Sequence, residues 1–313
     1  MSVHAIGVDD PERRGGWTPD TDRRLTALES PVRAVLEPYL SSLTAADRIT
    51  LVPDAHYPFH PSSGMVTDPA VVGSIAGRLD TWTDADVAIA GASDERIAFD
   101  RTAAYLDYPG VAERFEADLV DLANGGRRNT VVTVDGEQVS VSVPEQLLES
   151  TVVVVPTLRP TEAGPVAGGI RALGRLVSSV ADDDPTAVAA AQAVQPALSV
   201  LDAMTVYSGD PVATDALFAG PMPEVDAIGS SLLERSIEED PVLRWTLGAD
   251  EGSIPIESAA DGPDSDVDLA AIRRRLPDGE LPPPDDTHPA VTTAYRLYAA
   301  VAGDAVPPQL EQR

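Results

Sequence analysis

Two of the chain's four histidines lie in the segment LVPDAHYPFHPSSGMVTDP, residues 51–69, beside an aspartate. Asp54, His56 and His60 place one carboxylate and two imidazoles in a proline-stiffened loop, a donor set suited to zinc or iron. The spacing D-x-H-x-x-x-H matches no standard metal motif, and loop histidines that face solvent or bond to neighbouring backbone would look the same in sequence. A second chemistry uses the same loop. Thr67-Asp68-Pro69 at its far end is a helix-start signal. A helix N-terminus beyond the carboxyl end of a strand offers free N–H groups and a positive dipole to an anion. On this reading Thr67, Arg159 and Arg171 hold a carboxylate or phosphate, Asp54 and Asp202 line the crevice, and His56 is the general acid or base. The plain alternative makes Thr67 and Asp68 caps and pairs the arginines with some of the 51 acidic residues. Asp210 and Asp226 also stand near expected strand ends or helix starts, and Asp226 suits a cap or a solvent-facing position.

Several chemistries are excluded outright. With no cysteine, the chain has no disulfide, thiolate nucleophile, iron–sulfur ligation or cysteine-based zinc site. All 22 basic residues are arginine, so there is no Schiff-base lysine and no P-loop or kinase lysine. No nucleophile elbow or Ser-His-Asp order is visible. No particular cofactor is indicated.

The formal net charge is −29. The acids are spread along the whole chain, which argues against one acidic block that docks a basic partner. An acidic surface without lysine suits a salt-rich cytosol, where molar salt shortens the Debye length to about 3 Å and screens self-repulsion. The expectation is therefore a halophilic protein of haloarchaeal type. Nucleic acid is not an expected partner, because its binding rests on neutralising phosphates with basic side chains. No apolar run approaches the roughly 18 residues that span a bilayer, and the N-terminal residues lack a signal-peptide pattern. A cytoplasmic location with no membrane contact is expected.

The elements that must position these residues follow an α/β pattern. Strands are expected at VHAIGV, ITLVPD, DVAIAGAS and ADLVDL, with helices between them. Thr18-Pro19 reads as a helix start, and Ser30-Pro31 as a break that caps a second helix. Val71, Val72, Ile75, Ala76 and Leu79 give the helix after the loop its apolar face. NTVVTVDGEQVSVSV alternates on both sides of Asp135-Gly136 and predicts a hairpin. STVVVVPTL has the β-branched run of a strand buried on both faces. Helices are expected around residues 163–180, 186–201 and 224–239, with strands at AMTVYSG and ALFAG. The predicted fold is an α/β domain over residues 1–251, with a mostly parallel Rossmann-like sheet, flanking helices and a β-hairpin insertion. Residues 252–313 read as acidic, Pro-rich linkers carrying two short helices that pack on the main domain.

Several motifs, in order, resemble the family known as domain of unknown function 362. Val52-Pro53-Asp54 is similar to its strand-ending Lys-Pro-Asn, and Val66-Thr67-Asp68-Pro69 to its Thr-Thr-x-Pro helix start. Pro156-Thr157-Leu158-Arg159-Pro160-Thr161 resembles its Pro-Lys-x-Lys-Thr-His element, and Arg171-Ala172-Leu173-Gly174 its Lys-Asn-x-x-Gly helix. VLDAMTVYSGDP and PEVDAIGSSLLE look like its aspartate-bearing strand and closing helix. Thr157 and Thr161 replace the family's lysine and histidine, while Arg159 and Arg171 keep charge without a titratable amine. Family members are sometimes joined to ferredoxin-type modules, so the resemblance implies a possible ferredoxin-like partner that supplies any cluster. There is a fainter similarity, in the loop after the second strand and in AGGIRALG, to the N-terminal domain of nickel-pincer lactate racemases. Those enzymes attach their cofactor through a lysine, which this chain lacks. Three functions follow: a small-anion-binding protein, with a degenerate enzyme as one form of it; an active His-based or metal-assisted enzyme on a carboxylate or phosphate; or an accessory protein of a redox system.

Overall fold

The computed structural model describes residues 2–9, 21–95, 97–161, 164–248, 254–259 and 267–277. The elements in chain order are β1 (Val3–Gly7), α1 (Thr21–Leu36), α2 (Leu40–Thr44), β2 (Arg48–Pro53), α3 (Pro69–Trp82), β3 (Asp86–Gly91), α4 (Phe99–Tyr105), α5 (Tyr108–Arg114) and β4 (Asp118–Asp121). They continue with β5 (Arg127–Val134), β6 (Glu137–Pro144), α6 (Glu145–Leu148), β7 (Thr151–Val155), α7 (Gly168–Gly174), β8 (Ser178–Ser179) and α8 (Asp183–Val194). The last are β9 (Leu198–Tyr207), β10 (Pro211–Gly220), α9 (Met222–Leu232), α10 (Pro241–Leu247), β11 (Ile256–Ser258) and α11 (Leu269–Arg275).

An eight-stranded sheet in the order β11-β1-β10-β9-β7-β2-β3-β4 forms the framework. Only β10 runs against its neighbours β1 and β9, and the other pairings are parallel. From β2 the chain steps outward through β3 to β4, then returns to the other side of β2 and builds β7 and β9. The order therefore reverses between β2 and β7, where Pro53 and Val155 are level in the register. A crevice at the strand carboxyl ends is expected at such a reversal.

Strand alternation sorts the core into layers. Ile49, Leu51, Val153, Val155 and Val200 face α1, α3 and α5, while Val52, Val152 and Val154 face α7, α8 and the hairpin. Each such fully buried Val or Leu is worth roughly 1.5–3 kcal/mol over leaving it exposed. The hairpin of β5 and β6 forms around Asp135-Gly136, as the sequence predicts, with β8 as a third strand. Val134, Val139, Val141 and Val143 bury its inner face in the core shared with α8.

Some elements differ from the sequence pattern. α1 runs straight through Pro31 because Leu28, Val32 and Val35 are fully buried against the core, and this packing outweighs the lost backbone hydrogen bond. The expected helices around 163–180, 186–201 and 224–239 are the shorter α7, α8 and α9. β9 begins at Leu198 because the apolar run beyond α8 is drawn into the sheet beside β7. Within the Pro- and Asp-rich segment, β11 pairs parallel with β1, and Ile272 of α11 is buried with α9 residues. The Thr18-Pro19 helix start and the second C-terminal helix fall outside the described residues. Among the described residues no helix is long and apolar enough to cross a membrane.

Candidate functional site

The reversal point brings the ends of β2 and β7 together, and Asp54 is the first residue beyond β2. Its amide bonds to Val155 O and Thr67 Oγ1 (3.2 and 2.8 Å), and Thr67 N donates back to Asp54 O at 2.9 Å. The Thr67 hydroxyl also donates to Val155 O. Both of its roles are spent on tying the loop to the sheet.

The Asp54 carboxylate is buried and is met by nitrogen groups from three segments. Arg159 Nη2, four residues beyond β7, donates to Oδ2 at 2.8 Å. His56 Nδ1 is 2.7 Å from Oδ1, and Arg175 Nη1, just past α7, is 3.7 Å from Oδ1. Burial alone would push the Asp54 carboxyl up, but Arg159, His56 and Arg175 hold it well below the usual carboxylate range. An ionised Asp54 only accepts, so Nδ1 of a neutral His56 carries the hydrogen and Nε2 keeps its lone pair. Phe59 packs edge-on to the imidazole at 5.8 Å between ring centroids. Arg159 is buried, its Nε has no hydrogen-bond partner, while the side chains of His56 and Arg175 are 33% and 43% exposed. The cluster thus has a closed base and an open rim, with two guanidiniums against one carboxylate.

A second cluster sits on the first turn of α3. Asp68 caps the helix, accepting from Ala70 N at 2.9 Å, and pairs with Arg24 of α1. Asp202 of β9, level with Thr157, accepts from Asp68 N at 2.7 Å and from Met204 N at 2.9 Å. Burial, followed by the charge of Asp68, raises the Asp202 carboxyl to about 6, against the opposing amide bonds and Arg24. The hydroxyls of Tyr108 and Thr157 are buried with no hydrogen-bond partner. Burial and the charges of Asp68, Asp54 and Asp202 push the Tyr108 phenol well above its ordinary value.

The same device recurs at α7. Asp226 of α9 accepts from Gly169 N (2.7 Å) and Ile170 N (2.9 Å), and burial raises its carboxyl to about 6 despite those bonds. Gly168 has φ +56°, and a Cβ there would lie 2.5 Å from the Asp226 carboxyl, so only glycine fits. Arg171, one turn along, is bidentate on Asp240 at 2.9 and 2.8 Å and reaches Asp184 at 3.2 Å. Although burial lowers its pKa, those carboxylates raise it overall.

Of the residues singled out from sequence, Asp54, His56 and Arg159 meet directly, and Thr67 braces them from behind. Asp202 lies with Asp68 on α3, and the Arg171 guanidinium is closed off among α7, α8 and α10. The Nδ1 of His60 sits in its own turn, 2.8 Å from Ser62 Oγ. Among the described residues no group of three or more histidine, aspartate or glutamate side chains is arranged to hold a metal ion; of the expected donors, Asp54 and His56 meet, while His60 lies on Ser62. Sequence reasoning missed Arg175 and Tyr108. Arg175 stands four residues after Arg171, a spacing at which helical residues share a face, but it lies just past α7 and reaches Asp54, whereas Arg171 reaches Asp240 and Asp184. For Tyr108 no sequence signal was present.

Residues 49–228, more than half the chain and the segment that contains Asp54, Asp202 and Asp226, match the family model described as Domain of unknown function (DUF362). The chain belongs to this family. No curated protein and no solved structure matches it.

Proposed function

We propose that the protein binds a small anionic molecule at the reversal point between β2 and β7, with Arg159 and Arg175 supplying the positive field and His56 Nε2 exchanging a proton with the bound molecule. The observation that carries this reading is the inversion of charge. A chain with a net charge of −29 gathers two guanidiniums and an imidazole around one ionised carboxylate, where an α/β sheet of this topology opens its crevice. Asp54 orients the cations and fixes the histidine tautomer. Thr67, Asp202 and Arg171, whose polar groups are consumed inside the protein, serve as scaffold in this reading.

An enzyme acting by proton transfer on a carboxylate or phosphate is the second reading, favoured by the Asp54–His56 contact, which leaves Nε2 as a general base. The acidic, lysine-free composition supports a halophilic protein. A ferredoxin-like partner has support only from the family resemblance.

The test is calorimetric titration of the full chain in molar potassium chloride with inorganic phosphate and with oxalate. Wild-type protein is expected to bind at least one of them. Arg175→Ala should weaken binding about tenfold, the order of one charge-assisted contact, and His56→Gln should abolish the proton exchange that accompanies binding. If neither anion binds, or if both variants bind like wild type, the reading is wrong.

A further inference from the structure

β5 ends the three-stranded sheet, whose order is β5-β6-β8, and pairs with β6 on one side only. Asp135 and Gly136 both have positive φ, 48° and 84°, the signature of a two-residue turn of the primed type. Val134 and Glu137, which flank it, are then the closing hydrogen-bonded pair. Alternation aims the N–H and C=O groups of Arg127, Asn129, Val131 and Thr133 away from β6. These groups line an outer edge eight residues long in unbroken register. No proline interrupts it, and residues 129–134 carry no charge.

The other outer edges among the described residues are protected by shortness or charge. β4 has four residues with an aspartate at each end, β11 has three with Glu257 at its centre, and β8 has two. A long, neutral edge is out of place on a chain with a net charge of −29, and Val131 at the middle of it is 59% exposed.

We propose that β5 pairs antiparallel with β5 of a second copy of this chain, about a two-fold axis at Val131, joining the two small sheets into one. Val131 then faces Val131, Asn129 faces Thr133, and Arg127 faces Asp135 of the second copy. The charge pattern of the strand selects this arrangement. β5 begins with Arg127 and Arg128 and ends at a turn carrying Asp135 and Glu137. Antiparallel self-pairing lays each basic end on an acidic end, whereas parallel pairing would set like charges together. Arg127 is held at its end of the strand by bonds to Ser142 O and Leu176 O, 2.7 and 2.9 Å. The exposed pairs of Arg128 with Glu145 and Glu149 are weak enough to be shared. Such an isologous contact is the commonest way for a protein to form a dimer, and it does not depend on the anion site.

The experiment is sedimentation equilibrium on the full chain in molar potassium chloride. A dimer mass is expected for wild type. Val131→Glu, which sets two carboxylates opposite each other, should weaken association on the order of tenfold or more and leave the melting temperature of the separated chain unchanged. Because the chain has no cysteine, Val131→Cys introduces a single thiol. A short bis-maleimide should link two such chains, and should not link Val180→Cys, which is fully exposed elsewhere. A monomer at every concentration would overturn the proposal, as would a dimer indifferent to Val131→Glu or equal linking at positions 131 and 180.

Discussion

The Asp54 and Asp202 clusters occupy the same end of the same sheet, yet they do opposite things with a buried carboxylate. Asp54 is held ionised by two guanidiniums and an imidazole and leads to an exposed rim. Asp202 shares the first turn of α3 with a second aspartate, and its carboxyl is raised to about 6. A helix N-terminus beyond a strand end is the usual place to look for a bound anion, but here α3 and α7 both receive one of the protein's own aspartates. In this fold the helix termini are occupied from within, and beside them Arg159 and Arg175 share the single carboxylate of Asp54.

The contrast can be broken most severely at Asp54. Asp54→Ala leaves Arg159 buried without its carboxylate and is expected to destabilise the fold by about 3–5 kcal/mol, read as a lowered denaturation midpoint in molar salt. A loss below about 1 kcal/mol would mean that Arg159 finds another partner and that the cluster is not built on Asp54.

The two carboxylates also predict opposite responses to pH. Asp202 and Asp226 sit at about 6 in the folded chain, against about 3.9 unfolded, so the folded state prefers them protonated. Their stabilising contribution is complete below about pH 4 and is lost as the pH rises to about 6, roughly 3 kcal/mol for each group. The contribution of Asp54 has the other sign, present above about pH 4 and lost on acidification. Denaturation midpoints of wild type and Asp202→Asn between pH 4.5 and 7, a range of about two and a half units across which such groups titrate, separate the two. The substitution should remove part of the fall with rising pH, and an unchanged slope would show that Asp202 is an ordinary carboxylate.

Smaller effects sharpen the contrast further. Asp202→Ala leaves the amides of Asp68 and Met204 without an acceptor, a cost of about 1–3 kcal/mol, and it should leave phosphate or oxalate titrations unchanged. Any loss of anion affinity would place Asp202 within the site. His56→Gln, at the exposed rim, should cost less than about 1 kcal/mol while altering the pH profile of anion binding.

Much of the framework was legible in the chain. Asp135-Gly136 between alternating runs marked the hairpin, the β-branched run at 151–155 marked a central strand, and Thr67-Asp68-Pro69 marked the start of α3. These are signals within a few residues, where backbone preference and side-chain period act alone. The path of α1 through Pro31 was not legible, because burial of Leu28, Val32 and Val35 by distant segments decides it. For the site, Asp54, His56 and Arg159 stood out by type and position. The role of Arg171 did not, since an arginine near a helix start looks the same whether it faces a ligand or Asp240.

The sequence by itself determined the inventory: no thiol, no lysine, an excess of carboxylates, and an α/β order of elements with a histidine-bearing loop after the second strand. Composition and short-range periodicity are properties of the chain and need no partner in space. Only the tertiary structure decided which aspartate meets arginines and which meets another aspartate. Asp54 and Arg159 lie 105 residues apart, and Asp68 and Asp202 lie 134 apart. The reversal of strand order between β2 and β7 brings the first pair together, and the landing of α3 on the end of β9 brings together the second. Coulomb interaction depends on distance in space and on burial, neither of which is written in sequence separation.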